Sequence, residues 1–159
     1  MDRKEFTKQY ESSFRLVWNV CLTLLKNPAD TEDAVQETFL RLLREEDDFS
    51  SLEHLRAWLI VTAKHICLDE LRRFRRKELC LDEARDIPIQ APEIDETLAA
   101  VRSLPDKYRL PIYLFYYEGY TTGQIASLLG RRESTVRSDL RRGRERLKPM
   151  LERSYYEER

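Results

Sequence analysis

An all-α fold of two small helical domains is what this sequence predicts, on three observations. Apolar residues recur at three- and four-residue intervals through long stretches of both halves, the period of helices with one buried face. Four glycines and six prolines in 159 residues are few for the turns of a strand-rich fold. Between the halves, residues 78–97 hold seven acidic side chains, one basic side chain, Pro88 and Pro92, a composition suited to a linker. The expected organisation is a first domain at 1–77, an acidic linker at 78–97 and a second domain at 98–159, the last a helix-turn-helix.

The first helix is expected from about Asp2 to Lys26, with Phe6, Tyr10, Phe14, Val17, Val20, Cys21 and Leu24 as its apolar face. Asn27-Pro28 interrupts it, because proline disfavours helix in the residue before it. A second helix follows from Asp30. Asp30, Glu32 and Asp33 suit its first turn, where the helix dipole favours negative charge, and Ala34, Phe39, Leu42 and Leu43 form its apolar side. Glu45 to Ser51 is polar and aperiodic, so it reads as a loop. A long helix from Leu55 to about Lys77 buries Leu55, Trp58, Leu59, Val61, Thr62, Ile66, Leu68 and Leu71. It ends on a basic run, Arg72, Arg73, Arg75, Arg76 and Lys77.

In the second half, a short helix spans Ala99 to Leu104, and Pro105 stands where a helix can begin without needing its missing N–H. The run Ile112 to Tyr117 has the composition of a buried strand, but its flanks and Gly119 favour a helix with a glycine stop. Thr121 or Thr122 can cap a short helix, Gln124 to Leu129, with Ile125, Ala126 and Leu129 inward. Gly130 supplies a tight turn. A further helix from about Glu133 to Lys148 turns Val136, Leu140 and Leu147 inward, with Leu151 beyond. Two short helices joined by a glycine turn, with the small Ala126 allowing a close crossing, form a helix-turn-helix pattern. From Arg131 to Lys148 eight basic residues stand against Glu133, Asp139 and Glu145. Arginines on such a face suit phosphate pairing and bidentate contact with guanine. A second nucleic-acid surface is expected around Arg72 to Lys77 and Trp58, since aromatics beside arginine suit unpaired bases.

The sequence resembles the extracytoplasmic-function sigma factors in two stretches, about 5–76 and 98–150. DTEDAVQETFLRLL (Asp30 to Leu43) is similar to the family's polymerase-clamp-binding helix. AWLIVTAKHICLDELRRFRR (Ala57 to Arg76) is similar to its promoter-melting helix. LPDKYRLPIYLFYYEGYTTGQIASLLGRRESTVRSDLRRGRERL (Leu104 to Leu147) is similar to its reader of the upstream promoter element.

The resemblance implies a transcription initiation factor that is not an enzyme and serves a stress or envelope-response regulon. It implies polymerase contact through Asp33, Gln36, Glu37, Leu40 and Arg41. For the −10 element it implies a base-pocketing loop, Asp47 to Glu53, with Phe49 and Ser50, assisted by Trp58, His65, Arg72, Arg73 and Arg76. His65 stands where the family commonly has asparagine, and it also has the spacing to bond Asp69. For the −35 element it implies Arg137, Ser138, Arg141, Arg142 and Arg144. Gln124 replaces a common glutamate and reads as a solvated change. Asp139 places a negative charge on the reading helix, to pair with Arg137 or Arg142 or to accept from a cytosine amine. The implied partners are core RNA polymerase, promoter DNA and an anti-sigma protein of the kind that can be membrane-bound.

Three classes of function are disfavoured. Cys21, Cys67 and Cys80 form no CxxC pair, and His54 and His65 complete no metal spacing, so neither a metal nor another cofactor is expected and the thiols read as reduced core residues. No apolar run reaches the ~20 residues of a membrane span, and the N-terminal decapeptide lacks an apolar signal core, so the protein is expected to be cytoplasmic, without membrane insertion. A strand-cleaving metalloenzyme built on Asp30, Glu32, Asp33 and Glu37 would draw all its carboxylates from one helix start. The main alternative is a stand-alone helix-turn-helix regulator. A net charge of only −1 fits a protein that carries separate basic faces yet must not adhere to all DNA. The acidic linker can then act as a nucleic-acid mimic.

Overall fold

The computed structural model describes residues 1–77 and 96–157, with backbone alone for 76, 77, 96 and 154–157. Cys80 and nearly all of the predicted linker lie outside the described residues. The described residues are helical, without strands, and divide into two compact units.

The first unit holds α1 (Arg3–Leu25), α2 (Pro28–Arg44) and α3 (Leu52–Lys77). Asp2 caps α1 by accepting from the Glu5 N–H at 2.8 Å, and Lys26 closes it in the left-handed region at φ 65°. Pro28 does not merely separate the helices. It is the first residue of α2, where its missing N–H costs nothing, and Asn27 accepts from the Asp30 N–H at 3.0 Å. The core comes from α1 (Leu16, Val17, Trp18, Val20, Cys21), α2 (Ala34, Val35, Phe39, Leu42) and α3 (Leu55, Leu59, Ile60, Ala63, Cys67). Three expectations need correction. Leu43 is 51% exposed because Ala34, Val35, Thr38, Phe39 and Leu42 already fill the inner stripe of α2. Trp58, Val61, Leu68 and Leu71 are only half-buried, since Ile60, Ala63 and Cys67 take the innermost line of α3. Tyr10 lies at the rim, its ring 4.6 Å from that of Phe39.

Cys21 and Cys67 are fully buried with free thiols. The hydrogen-bonded Cys67 sulfur and then burial push the Cys21 thiol well above its ordinary value. A thiol that resists ionisation is a poor nucleophile. Both thiols are also out of reach of a reagent, so in a Cys80→Ser variant both should resist maleimide in the native protein and react on unfolding in urea. Labelling at equal rates in both conditions would contradict this core.

The second unit holds α4 (Glu96–Arg102), α5 (Asp106–Tyr116), α6 (Thr122–Leu129) and α7 (Glu133–Glu157). α4 begins three residues before Ala99 and ends before Leu104. The run from Ile112 is helical, as its flanks imply. Pro105 caps α5 from outside, whereas Pro111 lies in the middle of it and is buried. Arg109 is drawn into the core, where it pairs with Asp106, and burial lowers its pKa. α7 continues past Lys148 and through Pro149. Pro149 and Glu145, whose carbonyl it leaves without a helical donor, are both exposed, so water can serve.

Ala126 in α6 is half-buried. A close approach of α5 and α7 falls at Gly143, where an added Cβ would stand 2.8 and 2.9 Å from side-chain carbons of Ile112. Ile112 is fully buried and has no room to yield. Gly143→Ala would gain about 1 kcal/mol of helix propensity, but overpacking should cost ~1–3 kcal/mol. The expected net result is a lower urea midpoint for the full chain. An unchanged or raised midpoint would contradict this crossing.

Candidate promoter and polymerase interface

α6 and α7 are built for a fixed crossing. Thr121 accepts from the Gln124 N–H at 3.1 Å, and the Gln124 side chain accepts from the Thr121 N–H at 2.9 Å. This reciprocal capping box gives Gln124 a structural task in addition to its exposure. Gly130 ends α6 at φ 64°, a conformation that favours glycine. Thr122 then donates to Glu133 at 2.8 Å, tying the start of α6 to the start of α7.

The buried residues of α7, Val136, Asp139, Leu140, Gly143 and Leu147, share one side. Helical periodicity therefore turns Ser138 and Arg141 outward, with Arg137 and Arg142 on either flank. Arg137 pairs with Glu133 at 3.2 Å, both half-exposed. Arg144 lies toward α5 and donates to the Tyr116 hydroxyl at 3.2 Å, and Arg146 lies over the Tyr108 ring. Arg141 and Arg142 are exposed, with no such partner among the described residues. Arg132, in the turn, is exposed as well. Asp139 departs from expectation. It is buried and pairs with Arg131 at 3.3 Å, not with Arg137 or Arg142, so it offers no carboxylate to a base.

In the first unit, Asp33, Gln36, Leu40 and Arg41 form the exposed stripe of α2. Glu37 lies beside them, accepting from Arg41 at 3.3 Å. Asp33, Glu37 and Arg41 line a cleft of about 560 Å³ whose opposite wall is Asp69, Glu70 and Arg73 of α3. Asp69 and Glu70 are members the sequence did not mark. Arg73, 3.6 Å from Glu70 and exposed, lines this cleft as well. No three metal-ligating side chains cluster among the described residues.

Trp58, His65 and Arg72 recur every seven residues and so lie along one stripe of α3. His65 is exposed, and Asp69 has Arg72 as its partner at 3.4 Å instead of His65. Arg76 falls in the last turn, but its side chain lies outside the described residues. At the head of the stripe the Phe49 ring meets Trp58 edge-on at 5.6 Å and His54 at 5.2 Å. Ser50 donates its N–H to His54 Nδ1 at 3.1 Å, and the Ser51 hydroxyl accepts from the His54 N–H at 3.1 Å. His54 thus fastens the loop to α3, a role the sequence reading missed. The available signal was a serine three residues before it, the spacing of a helix cap. Under the loop is a cleft of about 510 Å³ lined by Glu5, Gln9, Asp47, Asp48, Phe49 and Leu52.

With this geometry, residues 9–77 match Sigma-70 region 2, and residues 94–147 match Sigma-70, region 4. The chain is 33% identical over 141 residues to the ECF RNA polymerase sigma factor SigL of Mycobacterium tuberculosis, covering 82% of this chain and 80% of that protein. It is 27% identical to the ECF sigma factor SigM of Bacillus subtilis, covering 94% and 96%. Its fold is similar to that of the sigma factor RpoE in complex with the anti-sigma factor NepR from Bartonella quintana, with a TM-score of 0.75, 22% identity, and coverage of 94% and 98%. The chain belongs to the ECF RNA polymerase sigma factors. Members of this family are initiation factors, not enzymes. Among the described residues no helix is long and apolar enough to cross a membrane.

Proposed function

We propose that this sigma factor holds core RNA polymerase through the exposed stripe of α2, reads the −10 element with the Phe49–Ser50 loop and the Trp58–His65–Arg72 stripe, and reads the −35 element with α7. Residues 1–77 and 98–159 are then the two working domains, and 78–97 is the linker, whose last two residues open α4. The observation that carries this reading is α7 itself. Its inner side is buried, its start is anchored to a capped α6, and it presents Arg141 and Arg142 to solvent, with the half-buried Ser138 on the same side. Family membership disfavours a stand-alone regulator. The test is DNA retention by the chain with and without core polymerase. Sequence-specific retention should require polymerase, and equally specific binding by the chain alone would favour the regulator.

The protein works in the cytoplasm, without catalytic activity of its own, on a stress or envelope-response regulon. An anti-sigma protein, which can be membrane-bound, silences it by covering its DNA-reading faces. Producing this chain in excess of its inhibitor should switch on the regulon without the stress. Inactivity of the purified chain with core polymerase would argue against inhibition by a separate partner.

His65 helps to select a base of the −10 element. Neutral imidazole offers one donor and one acceptor, whereas an asparagine amide offers both groups in a different geometry. His65→Asn should change the base preference at one position of the −10 element and leave thermal stability nearly untouched, because His65 is exposed and not bonded to Asp69. Transcription from singly substituted promoters measures this. Superimposable profiles for the two proteins would return base reading to Phe49 and Ser50 alone.

A further inference from the structure

We propose that Arg131 is a positioning residue that sets how α7 meets DNA, acting through Lys107 and Asp139 rather than by touching the duplex. This rests on the reading of α7 as the −35 reader. Pro111 lacks an N–H, so the Lys107 carbonyl four residues earlier loses its helical donor. The Arg131 guanidinium supplies one, with Nη1 3.0 Å from the Lys107 oxygen. The same nitrogen stands 3.3 Å from Asp139 Oδ2, nearly two turns into α7. One side chain in the helix-turn-helix turn therefore fastens α7 to α5.

The burial pattern gives the clamp its direction. Asp139 is only 6% exposed, and a buried carboxylate must be paired or hydrogen-bonded. Its pairing holds the middle of α7 toward the turn. Arg131 is about one-third exposed, with a side-chain value of 32%, whereas Arg137 reaches 60%. Its charge is already met by Asp139, so it has little left to offer a phosphate. In composition Arg131 is one more positive charge on the reading face. In the structure it is spent inward.

The test uses holoenzyme assembled from the full chain and core RNA polymerase. The probe is a promoter fragment selected from genomic DNA by run-off transcription, then substituted singly across its −35 element. In Arg131→Ala, discrimination between the best and worst −35 sequences should fall by roughly fivefold or more, the scale of one good base contact. The salt dependence should stay unchanged, because no phosphate contact is lost. Adding Asp139→Asn removes the stranded buried charge but does not rebuild the bridge to Lys107, so the double variant should regain melting temperature while discrimination stays low. A purely structural role would lower the melting temperature while preserving base preference per active molecule, and that result overturns the proposal. A salt slope reduced by about one marks Arg131 as a phosphate contact and also overturns it, as does full recovery of discrimination in the double variant. If Arg131→Ala does not fold, Arg131→Lys serves for the same readouts, because an ammonium lacks the planar fork. Arg141→Ala and Arg142→Ala are measured alongside. If neither affects −35 discrimination, the reading of α7 itself has failed, and the clamp proposal falls for that separate reason.

Discussion

Reversing charge at both Asp33 and Glu37 to lysine is expected to abolish binding to core polymerase while leaving the fold intact. Both side chains lie on the solvent side of α2, and the buried line Thr31, Ala34, Val35, Thr38 and Phe39 is untouched by the change. Glu37 gives up only a surface pair with Arg41 at 3.3 Å, with both partners more than 40% exposed. Such a pair contributes at most about 1 kcal/mol. At the interface the effect is far larger. Like charges brought face to face cost several kcal/mol, and ~3 kcal/mol already weakens binding more than a hundredfold. The double variant should give the wild-type circular dichroism spectrum and lose pull-down by core polymerase. Undiminished pull-down would remove α2 from the interface.

The second large effect is expected on the recognition helix. Arg141 and Arg142 are exposed on the outward side of α7, and their guanidinium groups are not held by Glu133, Tyr116 or Asp139. A base-reading arginine replaced by alanine should cost ~1–3 kcal/mol and relax preference at one position of the −35 element. A phosphate-binding one should weaken all sequences alike and reduce the salt slope by about one. Arg137 and Arg144 should show smaller effects, because each must leave a partner inside the protein before it can reach DNA. Competition binding of holoenzyme to singly substituted −35 elements at two salt concentrations separates these behaviours. Uniform, salt-independent losses at all four positions would not fit α7 in the groove.

The helices were readable because their cause is local. The spacing of Ala34, Phe39 and Leu42, the proline after Asn27 and the glycine at 130 each act within a few residues. So were the outward residues of α7, which follow from periodicity once Val136 and Leu140 face inward. What the sequence hid depends on contacts across helices. Asp139 looked like a charge on the reading face because its neighbours in sequence are Arg137, Arg141 and Arg142. Its actual partner comes from the turn, eight residues away. The close approach of Gly143 to Ile112 joins residues 31 positions apart and carries no local signal. Arg73 belongs by sequence to a basic run, yet the packing of α3 against α2 puts it opposite Asp33 and Glu37. His54 failed as a metal ligand and was passed over, although its tie to Ser50 and Ser51 spans only a few residues. That was a missed cap, not a hidden long-range contact.

As a sigma factor, this chain confers promoter choice on a polymerase that has none without it. The most direct measurement is run-off transcription by purified core RNA polymerase on fragmented genomic DNA, with and without the full chain. The prediction is a small set of discrete transcripts that appear only with the chain, share two elements at a fixed spacing and vanish with the Asp33→Lys, Glu37→Lys double variant. The same transcripts from core polymerase alone, or a pattern unchanged by the double variant, would contradict this role.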